Sequence, residues 1–389
     1  MKRIPFVLLH LFLVLFVTAT VIPICFHGIE NLYPCACMIS VFMVLLLTKF
    51  KTLGNLKFSQ LFALGLCCFS FLVALLNSNS LEAFAAIKEY FLYFMIAGFG
   101  SLLIVNYKYY FEFFLRCMIV IALVVSPIII NNNLYSTHDE VHNKEWMAAI
   151  YAITPYLVSS IFYLFIGEKK LFKALSIACL VVYFRTLIMH TPRGVVVTII
   201  VSIIVLCIQK YIKKGRSTRA LYVWGGIFCI ASMFAVDTLL NLLIYLANQF
   251  DLRWLSKFVL EEDISNNRYV LYQEAWKGFL NSPVWGNGVA AFHNYEIYPH
   301  NLFLQMMYET GLLMIIPVLY ILYYAMKIIM SCKNLYGCDY RFVTFFFLIS
   351  INQLMFSSYF WRNISFWLLI WTVIFILHKK TLVTLVDEY

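Results

Sequence analysis

The sequence predicts an all-α polytopic membrane protein of about twelve transmembrane helices with one long loop outside the membrane. The first observation is composition: 63% of the residues are hydrophobic and 12% are charged, whereas a soluble domain carries about 25% charged residues. The second is the repetition of apolar runs of about 20 residues, the length that crosses roughly 30 Å of hydrocarbon. Because no soluble core buries so many runs of this length, a soluble fold is excluded.

Apolar runs place the predicted spans along the whole chain. The first run follows Lys2 and Arg3 as a signal peptide would, but it lacks a small-x-small cleavage site, so we expect a retained helix. The chain then divides into nine transmembrane helices in residues 1–247, a loop in 248–308 and three more helices in 309–389. The predicted spans are 5–26, 33–50, 58–77, 87–106, 110–131, 147–167, 173–191, 195–213, 220–247, 309–330, 342–360 and 364–378.

Basic residues determine the predicted orientation. With the N-terminus inside, Lys and Arg cluster in the loops on that side, whereas the outside loops 27–32 and 78–86 contain none. This is the positive-inside bias, and it places both termini in the cytoplasm. The net charge of +10 therefore needs no nucleic acid to explain it, and no aromatic-basic module or basic tail is present. The inside clusters are Lys49, Lys51, Lys57; Lys169, Lys170, Lys173; Lys210, Lys213, Lys214, Arg216, Arg219; Lys333, Arg341; and Lys379, Lys380.

Metal and disulfide sets are not indicated. Most of the 11 cysteines lie in apolar runs, where Cys acts as a small hydrophobe, and the long loop contains none. We interpret two polar clusters as solvated loops, Glu261-Glu262-Asp263 and the irregularly spaced His138, Asp139, Glu140 and His142 in the loop 132–146. We expect no cofactor and no metal.

The long outside loop contains an amphipathic helix. In residues 268–280 the apolar residues Tyr269, Tyr272, Trp276 and Phe279 recur at helical spacing. Asn281-Ser282-Pro283 should end this helix, and Gly286-Asn287-Gly288 should form a tight turn. A helix with this pattern is expected to lie on the outer leaflet.

Arginines at unusual places are the first candidates for function. Arg193 lies in a very short outside connection, against the positive-inside bias, where a guanidinium would suit an anion such as phosphate or would simply reach the interface. Arg268 begins the amphipathic helix, where it is either an anion ligand or a solvated loop residue. Arg185 lies within a span and should pair inside the bundle, with Asp237 or Glu89 as possible partners.

The segment Tyr298-Pro299-His300-Asn301 supplies a second kind of candidate. His300 should stand at the outer end of the next helix, where it would be either a proton acceptor for a hydroxyl or a capping residue. The apolar stretch after it contains Glu309 and Gly311.

These fragments, in this order, resemble the O-antigen ligase and polymerase superfamily of bacterial surface-polysaccharide enzymes. The resemblance rests on three motifs: the outside Arg193-Gly194, the loop pattern R-Y-x-L-Y-x-x-A-W-x-x-F-x-x-S-P-x-W-G-x-G from Arg268, and His300-Asn301 followed after nine residues by Gly311. The resemblance covers residues 190–315. Two departures are Met314, where members often have a second glycine, and Gln305, where Glu is common.

The resemblance implies a metal-independent glycosyltransferase of the membrane-embedded GT-C type in the bacterial inner membrane. Its donor would be an oligosaccharide on undecaprenyl diphosphate, presented at the periplasmic face. Arg193 and Arg268 would bind the diphosphate, and His300 would accept or hold the acceptor hydroxyl. The further residues expected to contact substrate are Asn301, Arg185, Tyr272, Glu309 and Arg362.

Three functions stay open on the sequence. The form Y-P-H-N-x-F-L, the modest loop and Met314 favour a polymerase of lipid-linked repeat units over a ligase that transfers finished glycan to lipid A-core. A chain-length regulator protein is an expected partner of such a polymerase. A flippase of the same lipid-linked sugar is the third. It would show internal repeats and broken helices in matching halves, and no such repeat relates residues 1–190 to 195–389.

Overall fold

A computed structural model gives the fold of part of the chain. It describes residues 111–135, 140–190, 193–214, 268–289, 291–292, 299–334, 339–356 and 359–387, parts of 91–105, and single residues at 72, 76, 245 and 249. The predicted spans 5–26 and 33–50, almost all of 58–77 and 220–247, much of 87–106 and the loop segment 250–267 lie outside the described residues.

Regular structure in the described ranges is helical, with no strand among them, which confirms the all-α class for this part of the chain. The longer helices are α1 (Phe111–Tyr135), α2 (Glu140–Ile166), α3 (Lys170–His190), α4 (Arg193–Lys213), α5 (Arg268–Asn281), α6 (Leu302–Ser331), α7 (Tyr340–Phe356) and α8 (Ile364–Asp387), with a 3-10 turn at Phe360–Arg362 before α8.

Among the residues that the structure describes, three helical stretches are long and apolar enough to cross a membrane: Phe111–Ile130, Gly194–Lys213 and Leu302–Ser331. Shorter apolar helices of 10–17 residues lie at Ile153–Ile166, Tyr340–Met355 and Ile364–Leu377. These lengths and compositions support a membrane protein, while the number of twelve spans stays a prediction.

Two predicted boundaries are wrong. The loop 132–146 is mostly helical, because α1 continues to Tyr135 and α2 begins at Glu140. Helix α6 begins at Leu302, well before the predicted span start at 309. The helix therefore extends beyond the predicted span toward His300, and Gln305 in its first turns is buried in the protein.

The chain forms two compact units. The first comprises residues 1–117 and 267–389, and the second comprises residues 118–266. The candidate residues divide between them: Arg185 and Arg193 belong to the second unit and the others to the first.

Aromatic side chains fill the described core of the first unit, where α6 packs on both α7 and α8. Phe94 packs edge to face on Trp367 of α8, with ring centroids 5.0 Å apart. Ser101 Oγ donates to the carbonyl of Leu368 at 3.1 Å. These contacts fix α8, which follows the 3-10 turn, within the first unit.

The second unit is built on α2, which packs against α3 and α4. The hydroxyl of Tyr183, a buried residue of α3, donates to the carbonyl of Ala122 on α1 at 2.8 Å. Small buried hydroxyls bond to the preceding turn of their own helix, as Ser160 Oγ does when it donates to the carbonyl of Tyr156 at 3.0 Å. Such bonds satisfy these serine hydroxyls within the apolar interior.

Candidate active site

Helix α6 begins with a side-chain cap. Asn301 has an extended backbone (φ −142°, ψ 115°), and its side-chain oxygen accepts from the amides of Phe303 and Leu304 at 3.1 and 3.2 Å. The first amides of a helix have no partner within it, and Asn is among the preferred residues at this position. Asn301 therefore fixes the point at which the helix starts.

The residue before the cap, His300, has a left-handed backbone with φ of 50°. His adopts this region more readily than most residues do, and a non-glycine residue held there costs of order 1–3 kcal/mol. Its neighbour Pro299 is buried, whereas His300 is half-buried with a buried Nδ1. The buried proline and the cap of Asn301 thus hold the backbone of His300 in one conformation at the start of α6.

Helix α6 is broken near its first third. Its 30 residues would extend about 45 Å, more than the roughly 30 Å of hydrocarbon. At Gly311 the backbone leaves the helical region (φ 61°, ψ −157°). The next two amides turn outward: Leu312 donates to the carbonyl of Pro283 at 2.8 Å, and Leu313 donates to that of Val284 at 3.3 Å.

The carbonyls left free by this break are bonded by the same loop, residues 282–288. In an unbroken helix the carbonyls of Tyr308 and Glu309 would accept from residues four positions later. Here Tyr308 accepts from the amide of Asn287 at 2.8 Å, and Glu309 accepts from that of Gly288 at 3.0 Å. Unsatisfied backbone groups near hydrocarbon cost several kcal/mol each, so this loop allows α6 to break.

Glycine is required on both sides of this contact. A Cβ on Gly286, whose φ is 73°, would lie 2.3 Å from the carbonyl oxygen of Glu309, and one on Gly311 would lie 2.5 Å from that of Val284. Ser282 closes the loop by donating its hydroxyl to the carbonyl of Gly286 at 2.7 Å. The glycine nine residues after His300-Asn301 is therefore the position of the helix break.

Helix α5 docks on the first turns of α6 through a third glycine. A Cβ on Gly278 would lie 2.1 Å from Cε2 of Tyr308, so the tyrosine ring rests on the helix backbone. The side-chain amide of Asn287 bridges the two helices by donating to the carbonyls of Gly278 at 3.0 Å and Tyr308 at 2.9 Å. The predicted amphipathic helix is thereby fixed to the helix that follows His300.

Only one face of α5 is buried. Ala275 and Phe279 are buried in the protein, and Tyr272 is half-buried. Arg268 is the first residue of the helix, one turn before Tyr272.

An exposed apolar face of α5 lies beside its buried face, and the turn after α5 is exposed and apolar as well. Trp276 and Leu280 are 47% and 58% exposed, and Val284 and Trp285 are 47% and 49% exposed. Since Leu313 of α6 bonds to Val284, this surface adjoins the side of α6 where Leu312, Ile316, Leu319 and Tyr320 are exposed.

Glu309 is fully buried two residues before the break. The Tyr359 hydroxyl lies 3.0 Å from both carboxylate oxygens, and Trp361 Nε1 donates to one of them at 2.7 Å. Gln305 Nε2 approaches the other at 3.4 Å. Glu309 was predicted to contact substrate, and the structure surrounds its carboxylate with donors from the protein itself.

The first unit brings together most of the predicted site. His300, Asn301 and Glu309 lie on or just before α6, the helix that starts at Arg268 docks on α6, and the turn containing Arg362 is bonded to Glu309 through its neighbour Trp361. Arg193 is the first residue of α4, and Arg185 lies on α3. For Arg185, Arg193, Arg268 and Arg362 the structure describes the backbone alone.

Sequence reasoning missed the partners of Glu309. A carboxylate within an apolar stretch needs a bonding partner, and the turn Tyr359–Asn363 offered a phenol and an indole. That signal was present but not specific, because the sequence contains 26 tyrosines and 8 tryptophans. The break at Gly311 gave no signal beyond the glycine itself.

The described part of the chain is helical, has the apolar helices of a membrane protein, and holds a conformationally restrained histidine just before a broken helix. Residues 178–319 match the model of the O-antigen ligase family. The match contains α4, α5, His300 and the break in α6, and it confirms the predicted resemblance to the O-antigen ligase and polymerase superfamily. It supports a ligase- or polymerase-type function with lipid-linked glycan substrates. Neither the curated proteins nor the solved structures include a match to this chain.

Proposed function

We propose that the protein is a metal-independent glycosyltransferase that polymerises oligosaccharide repeat units carried on undecaprenyl diphosphate, at the periplasmic face of the bacterial inner membrane. The observation that carries this proposal is the backbone of His300, held left-handed at the start of a broken helix inside the stretch that matches the O-antigen ligase family. Both termini would be cytoplasmic, and a chain-length regulator protein would be a partner.

In the proposed reaction the acceptor hydroxyl attacks the anomeric carbon of the donor sugar. The bond from that carbon to the diphosphate oxygen breaks, undecaprenyl diphosphate leaves with the bonding electrons, and the hydroxyl proton passes to His300. A neutral imidazole is a suitable acceptor near neutral pH. Asn301 supports this role because its cap fixes the backbone next to the imidazole.

Arg193 and Arg268 would bind the diphosphate and stabilise the charge that develops as it leaves. Both are the first residues of helices, α4 and α5. Free amides and the helix dipole favour phosphate at such positions, so the backbone would assist the two guanidinium groups. Tyr272, one turn after Arg268, and Arg185 and Arg362 are proposed as further substrate contacts.

A ligase that transfers finished glycan to lipid A-core is the second candidate, and the name of the matched family favours it weakly. Met314 favours the polymerase, because loss of the glycine that superfamily members often have there weakens the resemblance to the ligase form in particular. In this chain Met314 is buried within the part of α6 that follows the break.

The deciding experiment is the banding pattern of surface polysaccharide on a gel. The chromosomal gene is deleted in the native host and replaced by the wild type, by His300→Ala, or by a control, Lys333→Ala, at an exposed position beyond the far end of α6. Polymerase activity predicts that the deletion and His300→Ala leave single repeat units on the core, while the control restores the ladder.

Other patterns lead to other conclusions. Bare core with long glycan accumulating on the polyprenyl carrier would establish the ligase instead. A normal ladder in the deletion strain, or full rescue by His300→Ala at equal protein level, would overturn the catalytic proposal.

A further inference from the structure

The carboxylate of Glu309 is surrounded by groups that donate hydrogen bonds. Trp361 Nε1 is a donor only and lies 2.7 Å from one oxygen. The Tyr359 hydroxyl lies 3.0 Å from both oxygens, and the Gln305 side-chain amide approaches at 3.4 Å. An ionised carboxylate only accepts, so these donors match its charged form. Burial of that charge is compensated by its hydrogen bonds.

The two closest donors belong to one short segment, residues 359–363. Tyr359 immediately precedes the 3-10 turn Phe360–Arg362, and Trp361 is its central residue. The far side of the turn is fixed to α8, because Trp367 Nε1 donates to the carbonyl of Trp361 at 3.2 Å. Glu309 therefore holds the turn that connects α7 to α8.

Glu309 also binds the loop at the helix break. Its carbonyl accepts from the amide of Gly288 at 3.0 Å, while its side chain bonds to the turn. One residue thus joins three segments: the part of α6 that follows His300, the loop 282–288, and the turn containing Arg362.

We propose that Glu309 is a positioning residue that holds the turn 359–363 against the start of α6, and so places Arg362 to bind the lipid diphosphate. The inference rests on the proposed function for the identity of the ligand. It differs from the expectation that Glu309 touches substrate, because the donors around this fully buried carboxylate come from the protein.

The contact is tested first without any substrate. Amide hydrogen exchange is measured on purified protein in lipid nanodiscs for wild type, Glu309→Ala, Glu309→Gln and Tyr359→Phe. Loss of a charged hydrogen bond should speed exchange in residues 359–367 about tenfold in Glu309→Ala. The exchange rate in Glu309→Gln should lie between those of the wild type and Glu309→Ala, because the side-chain carbonyl of Gln still accepts from Trp361. Tyr359→Phe removes one donor and leaves the carboxylate, so it tests the contact if Glu309→Ala does not fold.

The matched control is Trp371→Phe on α8. Trp371 is equally buried, and its Nε1 has no hydrogen-bond partner among the described residues, so this change removes indole packing without a polar contact. The control should leave exchange in residues 359–367 unchanged. Equal acceleration by the control, or wild-type exchange in both Glu309→Ala and Tyr359→Phe, would overturn the proposal.

Ligand positioning is tested by the binding of undecaprenyl diphosphate to the same nanodiscs. Tyr359→Phe and Glu309→Gln should weaken binding about tenfold, and Trp371→Phe should not. In turnover, the KM for the donor should rise more than kcat falls, whereas His300→Ala should act mainly on kcat.

Failure of the two proposals can be distinguished. If the wild type does not bind undecaprenyl diphosphate, the proposed function and the role in ligand binding both fail, and hydrogen exchange still decides whether Glu309 holds the turn. If the wild type binds undecaprenyl diphosphate and Tyr359→Phe and Glu309→Gln bind it equally well, the positioning role is overturned while the proposed function stands.

Discussion

Gly311 of α6 lies against the backbone of Val284, so closely that a Cβ on the glycine would lie 2.5 Å from the Val284 carbonyl oxygen. That oxygen accepts from the amide of Leu313 at 3.3 Å. The backbone of Gly311 is in a region that is essentially restricted to glycine. Gly311 thus combines a close approach to the Val284 backbone with a conformation that other residues rarely adopt, and together these two features produce the break in α6.

Gly311→Ala should therefore cost both stability and activity. The strained backbone alone costs about 1–3 kcal/mol, and the clash would push the loop 282–288 away from α6. We expect a lower Tm in detergent and loss of the polysaccharide ladder. The control is Gly98→Ala, which adds a Cβ at a helical glycine without a positive φ. That Cβ would lie 3.3 Å from the Trp371 ring, so the variant tests close packing without the unusual backbone. Wild-type Tm and ladder in Gly311→Ala would show that the break is not needed.

The sequence predicted local features of this region better than the pairing between its segments. The extent of α5 followed from its periodicity, and its end followed from Asn281-Ser282-Pro283. The bonds from Pro283 and Val284 to α6 join backbone atoms that are distant in the sequence, and backbone bonding leaves no residue pattern. The predicted span began at residue 309, whereas α6 begins at Leu302. The groups that bond to Glu309, Tyr359 and Trp361, are likewise distant from it in the sequence.

His300→Asn should separate the proposed chemical role of the imidazole from its backbone role. Asn is one of the few residues that tolerate a left-handed backbone, so the variant should keep the start of α6 and its Tm. Removal of a general base typically costs about 10²–10⁴-fold in rate. We expect turnover of lipid-linked repeat units to fall within that range, with a similar KM.

His300→Val supplies the comparison for stability. A β-branched residue is a genuine outlier at positive φ, so this variant should lose Tm as well as activity. Near wild-type turnover in His300→Asn would exclude proton transfer by this side chain.

The exposed apolar face of α5 should lie in the outer membrane leaflet. Trp285 is 49% exposed beside Val284, and tryptophan is enriched where membrane meets water. The difference in tryptophan fluorescence between wild type and Trp285→Phe gives the emission of this one indole. We expect lipids with brominated acyl chains to quench that difference signal in nanodiscs, and iodide in the water to quench it weakly.

Trp371→Phe provides the reference, because Trp371 is fully buried in the protein and its difference signal should resist both quenchers. The reverse pattern for Trp285, with strong quenching by iodide and none by the brominated lipid, would place the turn in water. The helix α5 would then not be an interfacial helix.

Arg268 at the start of α5 should depend on the shape of its side chain as well as on its charge. A guanidinium can donate two parallel hydrogen bonds to a phosphate, whereas an ammonium acts as a point charge. Arg268→Gln should therefore lower kcat by about 10²–10³-fold, as loss of a group that stabilises developing charge does. Arg268→Lys should recover only part of that loss in turnover of a donor carried on undecaprenyl diphosphate.

Arg116→Gln is the control for a simple loss of positive charge. Arg116 pairs with Glu112 one turn earlier on α1 at 3.0 Å, and both side chains are partly exposed. Such pairs contribute about 0–1 kcal/mol, so this variant should keep its turnover. If Arg268→Gln behaves like Arg116→Gln, the diphosphate is not bound at the start of α5. If Arg268→Lys is as active as the wild type, charge alone suffices there and the two-pronged contact is excluded.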